Sequence, residues 1–216
     1  LELGAFIDVY EEDSRKAASA SDMARASGHI IGPLQGIPVA VKDIIDIEGK
    51  ITTGGSMVWK DRRSTLTATL VRRMVEAGMI VLGKTHTVEF AMGSFGTNQH
   101  MGSPKNPWDL EEHRATGGSS AGTAAAVAAG LSPWGIGTDT GGSVRIPSAW
   151  CGLTGLKTSV GRISTHGVLP LSHTLDTPGP MCRSVEDAAI LYRILAGPDE
   201  QDSRTVIHPV EDPFPE

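Results

Sequence analysis

The chain has 216 residues, with 19 Lys and Arg against 25 Asp and Glu, a formal net charge of −6 with histidine neutral. An acidic balance argues against nucleic acid as the main partner, because a phosphate-binding surface shows as a basic excess. Charged residues at 20% and apolar residues at 39% exclude a disordered chain, while 26 glycines among 216 residues stand well above the roughly 7% of ordinary proteins.

Ala5, Phe6, Val9, Tyr10, Ala17 and Ala18 recur at roughly helical intervals, so the spacing predicts an N-terminal helix within residues 1–30, ended by Gly28 and Gly32-Pro33. The β-branched run from Gly36 to Asp43 reads as a buried strand with Lys42-Asp43 at its emerging end. A second helix is expected over 65–77, with Leu66, Leu70, Val71, Met74 and Val75 on one face, closed by Gly78 at the position after the C-cap. Met79 to Gly83 follows as another buried strand. Strand, helix and strand joined by short connections mark an α/β protein, and continuous apolar runs fit strands covered on both faces.

Residues 93–118 are punctuated by glycine, proline and asparagine, and read as an irregular loop over the surface or the mouth of a site. A small-sided helix is expected over 121–129, followed by Trp134-Gly135-Ile136-Gly137 and a glycine-rich turn at 138–143. Ser184-Val185-Glu186-Asp187 is a capping box with Asp in place of Glu or Gln, opening a helix with Ala188, Leu191, Ile194 and Leu195 inward. After Asp199 the chain is polar and proline-rich (Pro209, Pro213, Pro215), and a poorly ordered tail is expected.

Cys151 and Cys182 show neither CxxC nor zinc-finger spacing, so each reads as a small buried hydrophobe in a reduced, cytoplasmic compartment. No apolar run approaches the ~20 residues needed to span a bilayer, and residues 1–20 lack the segments of a signal peptide; no membrane partner is expected. The seven histidines are scattered with no HExxH pair, so no metal is expected, although His86 at a strand end stands out.

Two glycine clusters carry the chemistry: Gly117-Gly118-Ser119-Ser120, then Asp139-Thr140-Gly141-Gly142-Ser143. Each reads either as a tight turn or as backbone whose successive N–H groups converge on an anion or an oxyanion. No Lys follows as a P-loop requires, Thr140 stands where a dinucleotide fingerprint needs glycine, and Arg145 stands at the last place of a GxSxG elbow. A serine nucleophile needs a base. Lys42 and Lys84, both at strand ends, compete for that role, since burial favours the neutral amine; a salt bridge is the ordinary alternative for Lys42.

The segments GPLQGIPVAVKD (32–43), VLGKTHTVEFAMGSFGTN (81–98), GSPKNPWD (102–109), TGGSSAGTAAAVAAG (116–130), GIGTDTGGSVRIPSAWCGLTGLK (135–157) and LDTPGPMCRSVEDAAIL (175–191) resemble, in order, the amidase signature family of Ser–cis-Ser–Lys amidohydrolases. The resemblance implies an α/β amidase signature fold, a mixed central sheet covered by helices on both faces. It implies Ser143 as nucleophile, Ser119 as the bridging serine after a cis peptide, and Lys42 as base. Thr140, Gly141, Gly142 and Ser143 would give the oxyanion-binding N–H groups, with Ser120, Asp139 and Arg145 supporting. It implies an amidase cleaving a small-molecule amide through an acyl-enzyme, with no cofactor, and leaves room for a homodimer. The alternative is the glutaminase component of a tRNA-dependent amidotransferase, although Thr177 and the GTNQHMGSPKNPWD stretch look more like free-standing amidases.

Thr116, Ala121 and Thr158 depart from common family residues (proline, glycine and proline) without touching the triad. Family members are much longer. The chain is therefore expected to be a single, truncated domain: a helical N-terminal region at 1–30, a portion of the catalytic core at 31–200 and a polar tail at 201–216. Expressed alone, these 216 residues are expected to be poorly soluble or inactive.

Overall fold

In the computed structural model, residues 3–205 are described; the proline-rich stretch with Pro209, Pro213 and Pro215 lies outside them. The strands are β1 (Phe6–Val9), β2 (Pro38–Lys42), β3 (Ile80–Thr85), β4 (Trp134–Asp139), β5 (Thr154–Gly155) and β6 (Thr177–Cys182). The helices are α1 (Glu11–Ala26), α2 (Thr69–Glu76), α3 (Ala121–Ala128), α4 (Arg145–Cys151) and α5 (Val185–Leu195). The six strands form one sheet in the order β1-β3-β2-β4-β6-β5. β2 is parallel to β3 and β4, whereas β1, β5 and β6 run antiparallel to their neighbours. The sheet is thus mixed, in an α/β architecture.

Side-chain alternation along β2 sorts the core into two layers. Val39 and Val41 join Ile136, Leu70, Met74, Leu191 and Leu195 under α2 and α5. Ala40 faces the other way, onto Ala125 and Ala126 of α3. The second layer is thin because its residues are small. Gly135 and Gly137 of β4 lie under α3, and a Cβ at Gly137 would come within 2.6 Å of Ser120 Oγ and 2.7 Å of Met181 Sδ. Part of the glycine excess therefore serves close helix–sheet approach, which brings the Ser119-Ser120 turn onto the end of β4.

Several expectations need correction. Phe6–Val9 is a strand, not helix: Phe6 pairs with Thr85, Asp8 with Lys84 and Val9 with Gly83. The helix begins at Glu11, where Glu11, Glu12 and Asp13 complement its positive end. α2 starts at Thr69 rather than 65, because the Ala68 and Thr69 N–H groups donate to Asp46 O (2.9 Å) and His166 O (3.3 Å) of flanking loops. Residues 199–205 are fixed rather than loose: Asp199 accepts from Ser164 Oγ (2.5 Å) and Asp202 accepts from Thr165 N and Oγ1 (2.8 Å each).

β6 contains Pro178 and Pro180, which strand patterns disfavour. The Pro180 carbonyl accepts from Leu156 N and the Pro178 carbonyl from Thr158 Oγ1, on the side away from β4. In an extended strand a residue's N and O point the same way. The missing N–H groups therefore face the sparsely paired edge and cost no ladder bonds to β4.

Candidate active site

Lys42 ends β2 on the α3 face, in register with Thr85 of β3. It is wholly buried, and its Nζ donates to Ser119 Oγ at 2.7 Å and to Thr138 Oγ1 at 2.9 Å. Burial pushes this amine down from 10.5 to about 7, against the opposing charges of Asp139 and Asp176. Near neutral pH its neutral form is well populated, and one lone pair is then free to accept a proton.

Lys84, the competing lysine, is one residue out of phase. It pairs with Val41, so it projects from the opposite face of the sheet. There its Nζ donates to Ile45 O and Thr52 Oγ1, both at 2.6 Å, and lies 3.5 Å from Asp43 Oδ1. The salt bridge weighed for Lys42 is thus made by Lys84. Strand parity separates two otherwise similar sequence signals.

Ser119 is fully buried and follows a cis Gly118–Ser119 peptide bond; its carbonyl accepts from Val88 N (3.2 Å). The Ser120 hydroxyl exchanges hydrogen bonds of 3.3 Å with Thr138 O and N, tying the start of α3 to the end of β4. Ser120 N also donates to Ser143 O at 3.3 Å, so the two serine-bearing turns lie against each other. Ser143 is half-buried, and its hydroxyl makes no hydrogen bond among the described residues.

Asp139 organises the second turn. Its carboxylate accepts from the N–H groups of Gly142 (2.8 Å), Val144 (3.1 Å) and Arg145 (3.3 Å), and from the Arg145 guanidinium at 3.0 and 2.9 Å. Burial opposes its ionisation, but Arg145 and these N–H groups hold it below the usual carboxylate range. This corrects one expectation: the Gly142 N–H points at Asp139, so it is not free for an oxyanion. The N–H groups of Thr140, Gly141 and Ser143 have no acceptor among the described residues. Gly141 is exposed, and a Cβ there would meet no atom within 4 Å, so the face of this turn is open. Gly142 has φ +134°, where an L side chain is strained.

Sequence reasoning passes over Thr138 and Asp176. Thr138 is the second acceptor for Lys42. Asp176 accepts from the Thr140 hydroxyl and from the N–H groups of Leu171 (2.8 Å) and Ser172 (3.0 Å). Thr138 lies between Gly137 and Asp139 at the start of the second glycine-rich turn, and alternation along β4 puts it in phase with Ile136, away from α3, so strand periodicity gives no signal for its bond to Lys42. Asp176 is far beyond Ser143 in sequence and has no local signal.

The irregular loop at 93–118 contains neither helix nor strand. With Val88 to Met92 it walls a cleft of about 530 Å³ beside the Gly118–Ser119 turn, lined by Phe90, Phe95 and Asn98 among others. Asn98 holds that wall, donating to Gly55 O (2.7 Å) and Thr87 O (3.1 Å).

His86 is buried at the end of β3 with an unpartnered Nδ1, and burial pushes its imidazole down to about 4. Cys151 and Cys182 are free and buried, which pushes both thiols up to about 12. Among the described residues no group of three His, Cys, Asp or Glu is placed to hold a metal ion, and no helix is long and apolar enough to cross a membrane.

A family model described as Amidase matches residues 2–215. The chain belongs to the amidase family. Among its curated amidase relatives, the Glutamyl-tRNA(Gln) amidotransferase A-subunit of Cupriavidus necator is 48% identical over 94% of this chain and 40% of its own length. Its namesake in Dechloromonas aromatica is 48% identical over 97% of this chain and 43% of its own length. Among solved structures, the native peptide amidase from Stenotrophomonas maltophilia is similar at TM-score 0.89 and 40% identity, covering 97% of this chain and 43% of that one. The Glutamyl-tRNA(Gln) amidotransferase A-subunit of Thermotoga maritima is similar at TM-score 0.78 and 39% identity, covering 93% of this chain and 47% of that one. The chain therefore spans about two-fifths of the length of the curated amidase-family relatives it matches.

Proposed function

We propose that the chain carries the acyl-transfer machinery of a serine amidohydrolase acting on a carboxylic amide. The observation that carries this reading is the 2.7 Å contact between Lys42 Nζ and Ser119 Oγ, both wholly buried. A binding module whose glycine turns merely cradle an anion would have no use for a desolvated lysine on a serine.

The steps follow from the groups present. Ser143 Oγ attacks the amide carbon while its proton passes to Ser119, whose own proton passes to the neutral Lys42 amine. The N–H groups of Thr140, Gly141 and Ser143 bind the oxyanion, where loss of one donor typically costs about 2.7–4 kcal/mol of barrier. Lys42 then returns the proton through Ser119 to the leaving nitrogen, the C–N bond breaks and an acyl-Ser143 ester remains. Water attacks that ester with the same relay as base and releases the acid. Asp139 and Arg145 keep the turn in shape, and Ser120 keeps it against α3. We take the chain as one unit holding these residues, in which 31–200 belong to the catalytic core.

The test is ammonia or amine release from a panel of primary and secondary amides by the intact protein. Lys42→Ala and Ser143→Ala should each abolish it; unchanged turnover in either variant contradicts the assignment.

A second reading, the glutaminase component of a tRNA-dependent amidotransferase, is favoured by the curated relatives at 44–48% identity that bear that enzyme's name. Ammonia release from glutamine only on addition of partner subunits selects it. Release from simple amides by the protein alone selects the free-standing amidase.

A further inference from the structure

Asp176 is 7% exposed and sits just ahead of β6. One carboxylate oxygen takes the N–H groups of Leu171 and Ser172, and the other takes the Thr140 hydroxyl. Thr138 and Thr140, two residues apart at the end of β4, line one small buried cavity together with Asp176, Ile44 and Ala91. Thr138 is also bonded to Lys42 Nζ. Asp176 therefore holds the start of the nucleophile-bearing turn through Thr140 and shares a cavity wall with Thr138, the residue that accepts from the Lys42 amine, whose charged form its carboxylate favours.

The charges around it are disposed unequally. Asp139, the other carboxylate near Lys42, is paired with Arg145 at 2.9 Å. Asp43, the residue after the end of β2, turns to the opposite face from Lys42 and is paired with Lys84. The start of α3 presents only Ser119 and Ser120. On the outer side of Asp176, a cleft is lined by His166, His173, Asp202 and Arg204, with Arg204 held by Asp202 (3.0 Å) and the His173 carbonyl (2.6 Å). No cation among the described residues pairs with Asp176.

We propose that Asp176 is a positioning residue of this site, anchoring Thr140 in the oxyanion-binding turn and presenting to Lys42 a carboxylate charge that no described cation balances. The inference rests on the reading of Lys42 as the base. Two substitutions separate the two parts of the role. Asp176→Asn removes the charge in the same shape and makes the Lys42 proton easier to lose. Thr140→Val breaks the anchoring bond and leaves the charge.

The test is the rate of Ser143 labelling by a fluorophosphonate as a function of pH on the intact protein, with the Lys42 amine titrated in the same variants by NMR of ¹³C-labelled lysine. In D176N the midpoint should fall by about one pH unit, which raises labelling at pH 6, relative to its plateau, about five-fold over wild type. In T140V the plateau should fall several-fold with the midpoint unmoved, and Asp176→Glu, which keeps the charge, should hold the wild-type midpoint. An unmoved Lys42 midpoint in D176N, or an equal shift in T140V, overturns the proposal. A wild type that titrates Lys42 near pH 7 without labelling at Ser143 overturns instead the functional reading on which it rests, and the NMR comparison still decides the role of Asp176.

Discussion

Lys42→Met removes a buried amine while nearly keeping its shape, and the structure gives the size and sign of the effect on stability. Folding moves this lysine from 10.5 to about 7 by burial. At 1.36 kcal/mol per pH unit, the charged form is penalised by about 5 kcal/mol in the folded state. Between pH 7 and 10.5 the unfolded chain holds the proton and the folded chain has released it, so Lys42 makes stability rise with pH through that window. Methionine removes this dependence. Wild type should therefore gain about 2 kcal/mol on the variant between pH 7 and pH 9, and the contributions of all other groups cancel in the difference. Lost hydrogen bonds to Ser119 and Thr138 offset part of the variant's advantage at pH 7, by about 1–3 kcal/mol for each hydroxyl left unpaired, but that offset does not vary with pH in the same way. Urea denaturation of both proteins at the two pH values measures it. A wild-type minus variant difference that is the same at pH 7 and pH 9 refutes the claim that Lys42 is held near neutrality.

Asp139→Ala should destabilise the protein by about 2–4 kcal/mol, because three backbone N–H groups lose their acceptor. The exposed Arg145 adds little to that figure; chemical denaturation measures it, and a loss under about 1 kcal/mol would show the turn to be held by other contacts. Gly137→Ala should cost about 1–3 kcal/mol by overpacking, since its Cβ would meet Ser120 Oγ at 2.6 Å, and it should slow Ser143 labelling by shifting the Ser119-Ser120 turn. Thermal melting with labelling kinetics checks both, and an undisturbed melt would mean that α3 can lift away from β4. Lys84→Met leaves Asp43 buried without its cation and should cost about 3–5 kcal/mol. The double variant with Asp43→Asn should recover much of that loss, and strictly additive losses in denaturation would deny that the two residues form a pair.

The residues of the candidate site are readable in the sequence because a strand-end lysine followed by two Gly-Gly-Ser turns has few structural reasons to occur. The distinction between Lys42 and Lys84 is not readable from local pattern, only from the family resemblance: both follow apolar runs, and the parity of β2 against β3 sends them to opposite faces. β4 and β6 are obscured for a related reason. Gly135 and Gly137, or Pro178 and Pro180, carry low strand propensity, and their places are set by α3 on one side and by an open edge on the other. Phe6–Val9 looks helical in sequence because its apolar residues recur at i, i+3 and i+4, but Val9 is exposed, and it is backbone pairing with β3 rather than a buried apolar face that makes the segment a strand. The capping box at Ser184 is legible outright, since the Ser184 hydroxyl accepts from Asp187 N at 3.1 Å and Ala188, Leu191 and Leu195 are buried. Gly142 shows the limit of motif reading: its N–H lies in the right segment, but Asp139 three residues earlier takes it. Asp176 is beyond local reading, because its relation to Thr140 exists only once β6 lies beside β4.

Whether Ser143 is the nucleophile served by Lys42 is decided by identifying, with mass spectrometry, the residue that a fluorophosphonate modifies. A single adduct on Ser143 is expected, lost in Ser143→Ala and strongly slowed in Lys42→Ala and Ser119→Ala. An adduct on Ser119 or another serine, or labelling of Ser143 that is indifferent to Lys42, would contradict the assignment.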